Sequence, residues 1–329
     1  MRRRTLLSSG LAAALGTTAS GRSTAAAAAP YPFRMLTLIV PFQPVSSIGL
    51  NARLLQPYLE RALGQPVQLQ FNQGGGGLSG HLLGAEAAPD GYTLTMVSSV
   101  LTVQSWLSRA SVALPDNFAF VGQVTCLPSV LLVRADSKRR SLADLVATLR
   151  TSPGSLTTGN MVNWWSPAIA LAQFTTRAAI KPRVIASYDR GAELAGAVLR
   201  GQLDFAVVGL EDLGPPLTNG ALLALAVTSP APTLPSTPTF QAQGFDVTAG
   251  SWRGLAAPGD CPDHVIARLD TGLRQALDDP SLHADFAAHG MSVDPLPAAD
   301  FGRLVQQEYR TSGALLASLG LNVRAAKHA

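Results

Sequence analysis

Between Leu36 and Val97 short apolar runs alternate with longer helical periodicities, and this rhythm restricts the fold more than any other feature of the chain. Leu36-Thr37-Leu38-Ile39-Val40-Pro41-Phe42 is an apolar run closed by proline, which reads as a strand. Leu50, Leu54, Leu55, Tyr58, Leu59, Ala62 and Leu63 then recur at helical spacing between Gly49 and Gly64. Val67 to Phe71 predicts a second strand. A glycine run leads to a helix around His81 to Ala88, and Pro89-Asp90-Gly91 turns into a third strand, Tyr92 to Val97. Strand, helix, strand, helix, strand is the pattern of a parallel sheet with helices on its faces.

The same rhythm returns further along. Ser141-Leu142-Ala143-Asp144 has capping-box-like spacing ahead of a helix to about Arg150. Ser166-Pro167 offers an N-cap followed by proline at the first helical position. Arg183 to Ser187, Phe205 to Gly209 and Leu222 to Thr228 read as strands, with a helix from Ala192 to Leu199 between the first two. From Pro262 to Leu321 the pattern is mainly helical, with Val265, Leu269, Leu273 and Leu277 on one stripe. The class is α/β, and 329 residues are enough for one large or two medium domains.

Residues 1–29 stand apart. Arg2, Arg3 and Arg4 open the chain, an apolar stretch runs from Leu6 to Leu15, and alanines fill 25–29. This order is that of a secretory leader cleaved near Ala29, of the general or the twin-arginine type, and the apolar stretch is too short to span a bilayer. The leader holds four arginines and no acid, so the remainder carries 21 basic and 21 acidic residues. The apparent basicity therefore belongs to the leader, and nucleic acid loses its support as a partner. Cys126 and Cys261 permit one disulfide in an exported protein, but two separate thiols are the simpler reading.

The collinear segments after the leader resemble the substrate-binding receptors of tripartite tricarboxylate transporters, the Bug-type periplasmic proteins. The likeness rests on Ile39-Val40-Pro41-Phe42 with Ala52-Arg53-Leu54-Leu55, on Leu63-Gly64-Gln65-Pro66-Val67, and on Gly74-Gly75-Gly76-Gly77. Ala88-Pro89-Asp90-Gly91-Tyr92-Thr93-Leu94, Gly201-Gln202-Leu203-Asp204 and Leu225-Ala226-Val227-Thr228-Ser229 come next in order. Ser251-Trp252 with Gly254-Leu255-Ala256-Ala257-Pro258 completes the series. The resemblance implies a two-lobed periplasmic-binding-protein-like fold (type II-like) with the ligand cleft between the lobes. The first lobe would be 30–128 plus 255–329, and the second 129–254. It also implies a monomer without cofactor or metal, which carries a small carboxylate to membrane transporter subunits.

In such a receptor, helix N-termini, hydroxyls and close backbone hold the carboxylate, so no arginine clamp is required. The implied ligand-binding positions are Pro44, Val45, Ser46, Ser47, Ser98, Ser99, Asn163, Trp164, Trp165, Ser166, Tyr188, Arg190 and Gly191. Several depart from the family pattern. Ser46 and Ser47 replace glycines and serve either as ligand donors or as helix caps. Gly49 stands where the family has an acid, so a ligand amine finds no partner there. Trp164-Trp165 adds two large faces, which either stack on a planar ligand or fill a smaller pocket. Arg190 replaces a glycine and either pairs with a second carboxylate or is solvated.

Other classes find less support. Gly77-Leu78-Ser79-Gly80-His81 lacks the second glycine of a nucleophile elbow, and no Gly-Lys-Ser/Thr comes after the glycine run. His81, His264, His283, His289 and His328 show no metal-ligand spacing. An enzyme would need a constellation assembled only in space. A ligand sensor for a membrane histidine kinase needs the same cleft, and a degenerate receptor that binds nothing is the third alternative.

Overall fold

The computed structural model describes residues 30–107, 114–161, 165–213, 217, 219–229, 231 and 233–321. From Tyr31 onward the chain forms one compact unit.

Six strands form the larger sheet: β1 (Leu36–Val40), β2 (Val67–Phe71), β3 (Thr93–Ser98), β4 (Phe118–Leu127), β10 (Ser251–Pro258) and β11 (Leu296–Pro297), in the order β11-β4-β10-β3-β1-β2. β1 pairs in parallel with β2 and β3, whereas β10 runs antiparallel to both β3 and β4. The predicted first helix is α1 (Ser47–Leu63), which ends at Gly64 in the left-handed conformation (φ 71°) that glycine adopts without strain. α2 (Leu78–Ala85) starts three residues before the expected helix. The glycine run supplies the sharp positive-φ path, so the helix can begin as soon as Gly77 ends. α3 (Leu101–Leu107) comes after β3.

A second set of elements is inserted between β4 and β10. β5 (Ser129–Arg134), β8 (Phe205–Gly209) and β9 (Leu222–Val227) make a three-stranded antiparallel sheet in the order β8-β5-β9. β6 (Thr157–Met161) and β7 (Arg183–Tyr188) pair in parallel beside it. The helices here are α4 (Leu142–Thr151), α5 (Ser166–Arg177) and α6 (Gly191–Leu199). The chain closes with α7 (Asp263–Leu277), α8 (Pro280–Ala288) and α9 (Ala298–Ser318).

Each sheet has its own core because each is apolar on both faces. In the larger sheet, Leu38, Val40 and Met96 pack with Leu55 and Leu59 of α1 and Leu269 and Leu273 of α7. Val97, Phe118, Phe120 and Trp252 meet Phe301 and Val305 of α9 on the opposite face. The period of two is plain in β5: Leu131 and Val133 face α4 and α5, while Val130 and Leu132 face α6. Phe174 is wholly buried against Phe240 and Phe245 in the first of these layers.

The chain passes between the two sheets twice, at Pro128 between β4 and β5 and at Thr248–Gly250 before β10. β10 begins at Ser251, so Ser251–Gly254 pair with β3 and β4 in the larger sheet, four residues before the boundary expected at Leu255. Val103 of α3 and Leu316 of α9 join the core of the inserted elements and give the two parts a direct apolar contact. Cys126 and Cys261 are free thiols. No described helix is long and apolar enough to cross a membrane.

Candidate functional site

The start of α1 is fixed by local hydrogen bonds. Ser46 is its N-cap: the hydroxyl accepts from Gly49 N–H (3.0 Å) and donates to the Gln43 carbonyl (2.6 Å). Of the two roles open to Ser46, capping is the one this geometry uses. Arg53 donates to the Pro44 carbonyl and pins the loop. Pro44 is exposed, and Val45 is 85 % exposed at the loop tip. Gly49 has a steric reason: a Cβ there would lie 2.5 Å from the Gln43 oxygen and 2.6 Å from the Pro44 oxygen. Neither an acid nor any other side chain fits that position.

Ser47 leads to the main feature of the site. Its hydroxyl accepts from Nη2 of Arg253 (3.1 Å), a residue of β10 whose side chain is only 4 % exposed. Arg253 lies directly across from Ser98 on β3 and from Thr125 on β4, so the three side chains share the α1-facing side of the sheet. Asn51 of α1 donates to the Thr125 hydroxyl (3.3 Å). Within this polar row Arg253 Nε, Ser98 Oγ and Asn51 Oδ1 are buried without a hydrogen-bond partner among the described residues. Buried polar groups are nearly always satisfied in native proteins, so three such atoms in one row make it a candidate binding position. The helix-start reading required no arginine clamp, and Arg253 is a buried arginine set in this row that it did not name. The signal was legible as a charge inside Ser251-Trp252-Arg253-Gly254, a strand otherwise made of apolar and small residues.

Arg253 also reaches the inserted elements. Its Nη2 is 3.5 Å from the Glu211 carboxylate, on the short turn after β8. Asp212 comes next, and its carboxyl is pushed up to about 6, chiefly by burial and then by Glu211 alongside. Its Oδ2 lies against the Cα of Gly191, the first residue of α6, where any Cβ would overlap it. Gly191 therefore keeps the helix start open to Asp212. Arg190 precedes it, exposed, with Nη1 4.0 Å from Glu193. Neither Glu211 nor Asp212 was singled out from the sequence, because an acid on a turn carries no periodic signature.

The remaining expected positions fall into two groups. Ser99 and Ser166 meet: their hydroxyls are 2.7 Å apart and bridge the two parts of the molecule. Ser166 is thus not the N-cap of α5; Trp165 occupies that position without a side-chain bond, which frees the serine hydroxyl for Ser99. Trp165 is 40 % exposed, and Tyr188 is half-buried with its ring beside Gly159. Asn163 and Trp164 lie outside the described residues. Ser99 and Ser166 also line a small concavity of about 30 Å³ with Thr102, Gln173, Thr248 and Glu308. Glu308 accepts from the indole N–H of Trp252 (2.6 Å), and burial pushes its carboxyl up to about 7.

Chemistry of other kinds finds little footing among the described residues. His81 is buried, bonded to Gln104 (3.0 Å) and held down to about 4 by desolvation, a neutral packing residue. Asp204 accepts from the Thr157 N–H and hydroxyl and ties β8 to β6. No group of three or more His, Cys, Asp or Glu is placed to hold a metal ion among the described residues.

Comparison with known proteins agrees with this architecture. Residues 51–321 match the model of the tripartite tricarboxylate transporter family receptor. Protein BugT of Bordetella pertussis is 30% identical over 316 residues, covering 89% of this chain and 93% of that protein. A UPF0065 protein from the tcbD-tcbE intergenic region of Pseudomonas sp. (strain P51) is 30% identical over 288 residues, 85% of this chain and 83% of that protein. Among solved structures, a TctC solute binding protein from Polaromonas without ligand superposes with a TM-score of 0.82 at 21% identity, covering 88% of this chain and 99% of that one. A Rhodopseudomonas palustris protein with adipate gives 0.69 at 23% identity over 88% and 98% of the two chains. MatC from the same organism, with bound malate, gives 0.67 at 22% over 87% and 100%. These neighbours share the two-lobed periplasmic-binding-protein fold, and the chain belongs to the tripartite tricarboxylate transporter receptor family.

Proposed function

We propose that this chain is an exported periplasmic receptor that captures a small organic acid between its lobes and hands it to the membrane subunits of a tripartite tricarboxylate-type transporter. It works as a monomer without metal or cofactor. Export relies on residues 1–29, and the lobes divide at Pro128 and near Gly250. Family membership supports the transport role, and structural neighbours that hold adipate and malate support a carboxylate ligand.

The observation that carries the reading is Arg253. A guanidinium 4 % exposed, beside the first turn of α1 and flanked by Ser47 and Ser98, is where a carboxylate gains most. Charge-assisted hydrogen bonds are about twice as strong as neutral ones, and a helix N-terminus adds favourable dipole and N–H donors. Contact with Glu211 ties Arg253 to the second lobe, so a ligand seated there touches both lobes and favours their closed arrangement by its differential affinity.

The test is thermal unfolding of the mature protein against a panel of mono-, di- and tricarboxylates, aromatic acids and amino acids. A ligand at a hundred times its dissociation constant adds about 2.7 kcal/mol, worth roughly 5 °C or more in Tm for a chain of this size. A shift confined to carboxylates supports the receptor. Protein shown free of co-purified ligand that responds to none of them would refute it.

A further inference from the structure

We propose that the polar pocket beside the crossing segment Thr248–Gly250 is a proton-gated seam between the two parts of the molecule. Neutral Glu308 keeps α5 and α9 closed on each other there, and ionised Glu308 draws water in and loosens them. The device goes beyond the receptor reading and acts whichever acid is carried.

The position of the pocket gives it leverage. α5 supplies Ser166 and Gln173 from the inserted elements, while Thr102 of α3 and Glu308 and Ser312 of α9 close it from the other side. The Ser99 and Ser166 hydroxyls meet across this boundary (2.7 Å). Gln173 Oε1 accepts from the N–H groups of Thr248 (3.2 Å) and Ala249 (3.4 Å), which ties α5 to the crossing segment. The chain crosses at Pro128 and at Thr248–Gly250, so a rotation of one part against the other is absorbed at these contacts.

Glu308 is the ionisable side chain among the residues lining this pocket. One carboxylate oxygen accepts from the Trp252 indole, and the other has no hydrogen bond among the described residues; nor has the buried hydroxyl of Ser312. The surrounding elements bring no countercharge. α3, α5 and the crossing segment present hydroxyls, an amide and backbone, and β10 turns Arg253 to the opposite, α1-facing side. Cys126 of β4 is a thiol that burial pushes up to about 12, so it stays neutral. Desolvation therefore outweighs the Trp252 bond and raises the Glu308 carboxyl from 4.5 to about 7. A pocket of about 30 Å³ has room for about two waters, too few to hydrate an anion. The neutral acid fits the closed seam, and the anion favours a wetter, open one. Protonation thus stabilises the closed seam fully below 4.5, and that support is lost as pH rises through about 7. The two values cap the effect at about 300-fold in the ratio of closed to open seam.

The experiment is hydrogen exchange on mature protein exported from the full chain, followed by mass spectrometry and corrected for the intrinsic pH dependence of exchange. The Thr248 and Ala249 amides read the seam, and Leu38–Val40 of β1 reads global unfolding. The expected result is a local opening at the seam that is insensitive to low urea. Its protection should fall at least about ten-fold from pH 5.5 to pH 8, levelling off where the Trp252 indole N–H signal completes its titration by NMR. Glu308→Gln, which mimics the neutral acid, should hold that protection within about three-fold over the same range. Protection that is flat with pH in the wild-type protein overturns the proposal, as does a fall that survives in folded Glu308→Gln. Seam exchange that shares the urea dependence of Leu38–Val40 overturns it too, because the acid then acts on global stability alone. None of these results touches the receptor reading, which the carboxylate panel tests.

Discussion

Replacing Arg253 with methionine separates the part it plays in folding from the part it plays in binding. Methionine keeps roughly the same buried volume and removes the charge. The bonds lost are those to Ser47 (3.1 Å), the Ser251 carbonyl (3.3 Å) and the Glu211 carboxylate (3.5 Å). Breaking a fully buried ion pair from one side typically destabilises by about 3–5 kcal/mol. Glu211 is a quarter exposed, so water still solvates much of the orphaned carboxylate, and about 1–2 kcal/mol is expected here. Scanning calorimetry should show this as a fall in Tm of about 3–6 °C. Loss of a charged hydrogen bond to the ligand carboxylate adds about 1.5–3 kcal/mol to the binding free energy, a roughly 10- to 150-fold weaker Kd by titration calorimetry. The double variant Arg253→Met with Glu211→Gln removes both charges. It should recover most of the lost Tm and none of the affinity, since the two effects have different partners. Unchanged affinity in a folded Arg253→Met protein would refute the anchor role and leave Arg253 as a structural tie between lobes.

Two further perturbations probe the same geometry. Gly49→Asp places a Cβ 2.5 Å from backbone oxygen, so the first turn of α1 must shift; urea unfolding should show a loss of at least about 2 kcal/mol, and a loss under about 0.5 would contradict the packing. Glu308 has a folded pKa raised from 4.5 to about 7, so the folded state holds a proton that the unfolded chain has released in that interval. Its stabilising contribution is complete below pH 4.5 and disappears as pH rises through about 7, with Asp212 acting in the same direction between 3.8 and about 6. The urea midpoint should therefore fall from pH 5 to pH 8, and Glu308→Gln should flatten the upper part of that decline; an unchanged slope would count against burial of the acid.

How much of this was legible in the sequence depends on the kind of signal. α1, β1, β2 and β3 were readable because each carries a regular apolar pattern and each has a glycine, proline or Asp-Gly turn close to one of its ends. β4 and β5 were not assigned. Phe118–Leu127 and Ser129–Arg134 are apolar on both faces, so no alternation marks them, and only Pro128 separates two strands of different sheets. The cap of α5 was misplaced by one residue because Ser-Pro is a strong local signal. The serine hydroxyl had a better partner in Ser99, 67 residues earlier, which no local rule can see. The site divides in the same way. Ser47, Ser98 and Gly191 were found as loop positions at helix starts. Arg253, Glu211 and Asp212 give those positions their charges, yet they were missed because their meaning lies in the register of β10 against β3 and in the approach of one turn to another helix.

That division bears on specificity. A fold shared with relatives at about 30% identity fixes where helix N-termini converge, and hence that some acid can bind. Which acid binds is decided by charges placed on that frame. Here the acid position expected in the first lobe is closed by the packing around Gly49, while two acids appear on the second lobe and a guanidinium on the crossing strand. An arginine buried without compensation would be costly, and Glu211 relieves that cost within the protein itself. Asp212 is helped by the Gly209 N–H, Arg253 and Arg190, but burial and then Glu211 outweigh them and push its carboxyl up to about 6.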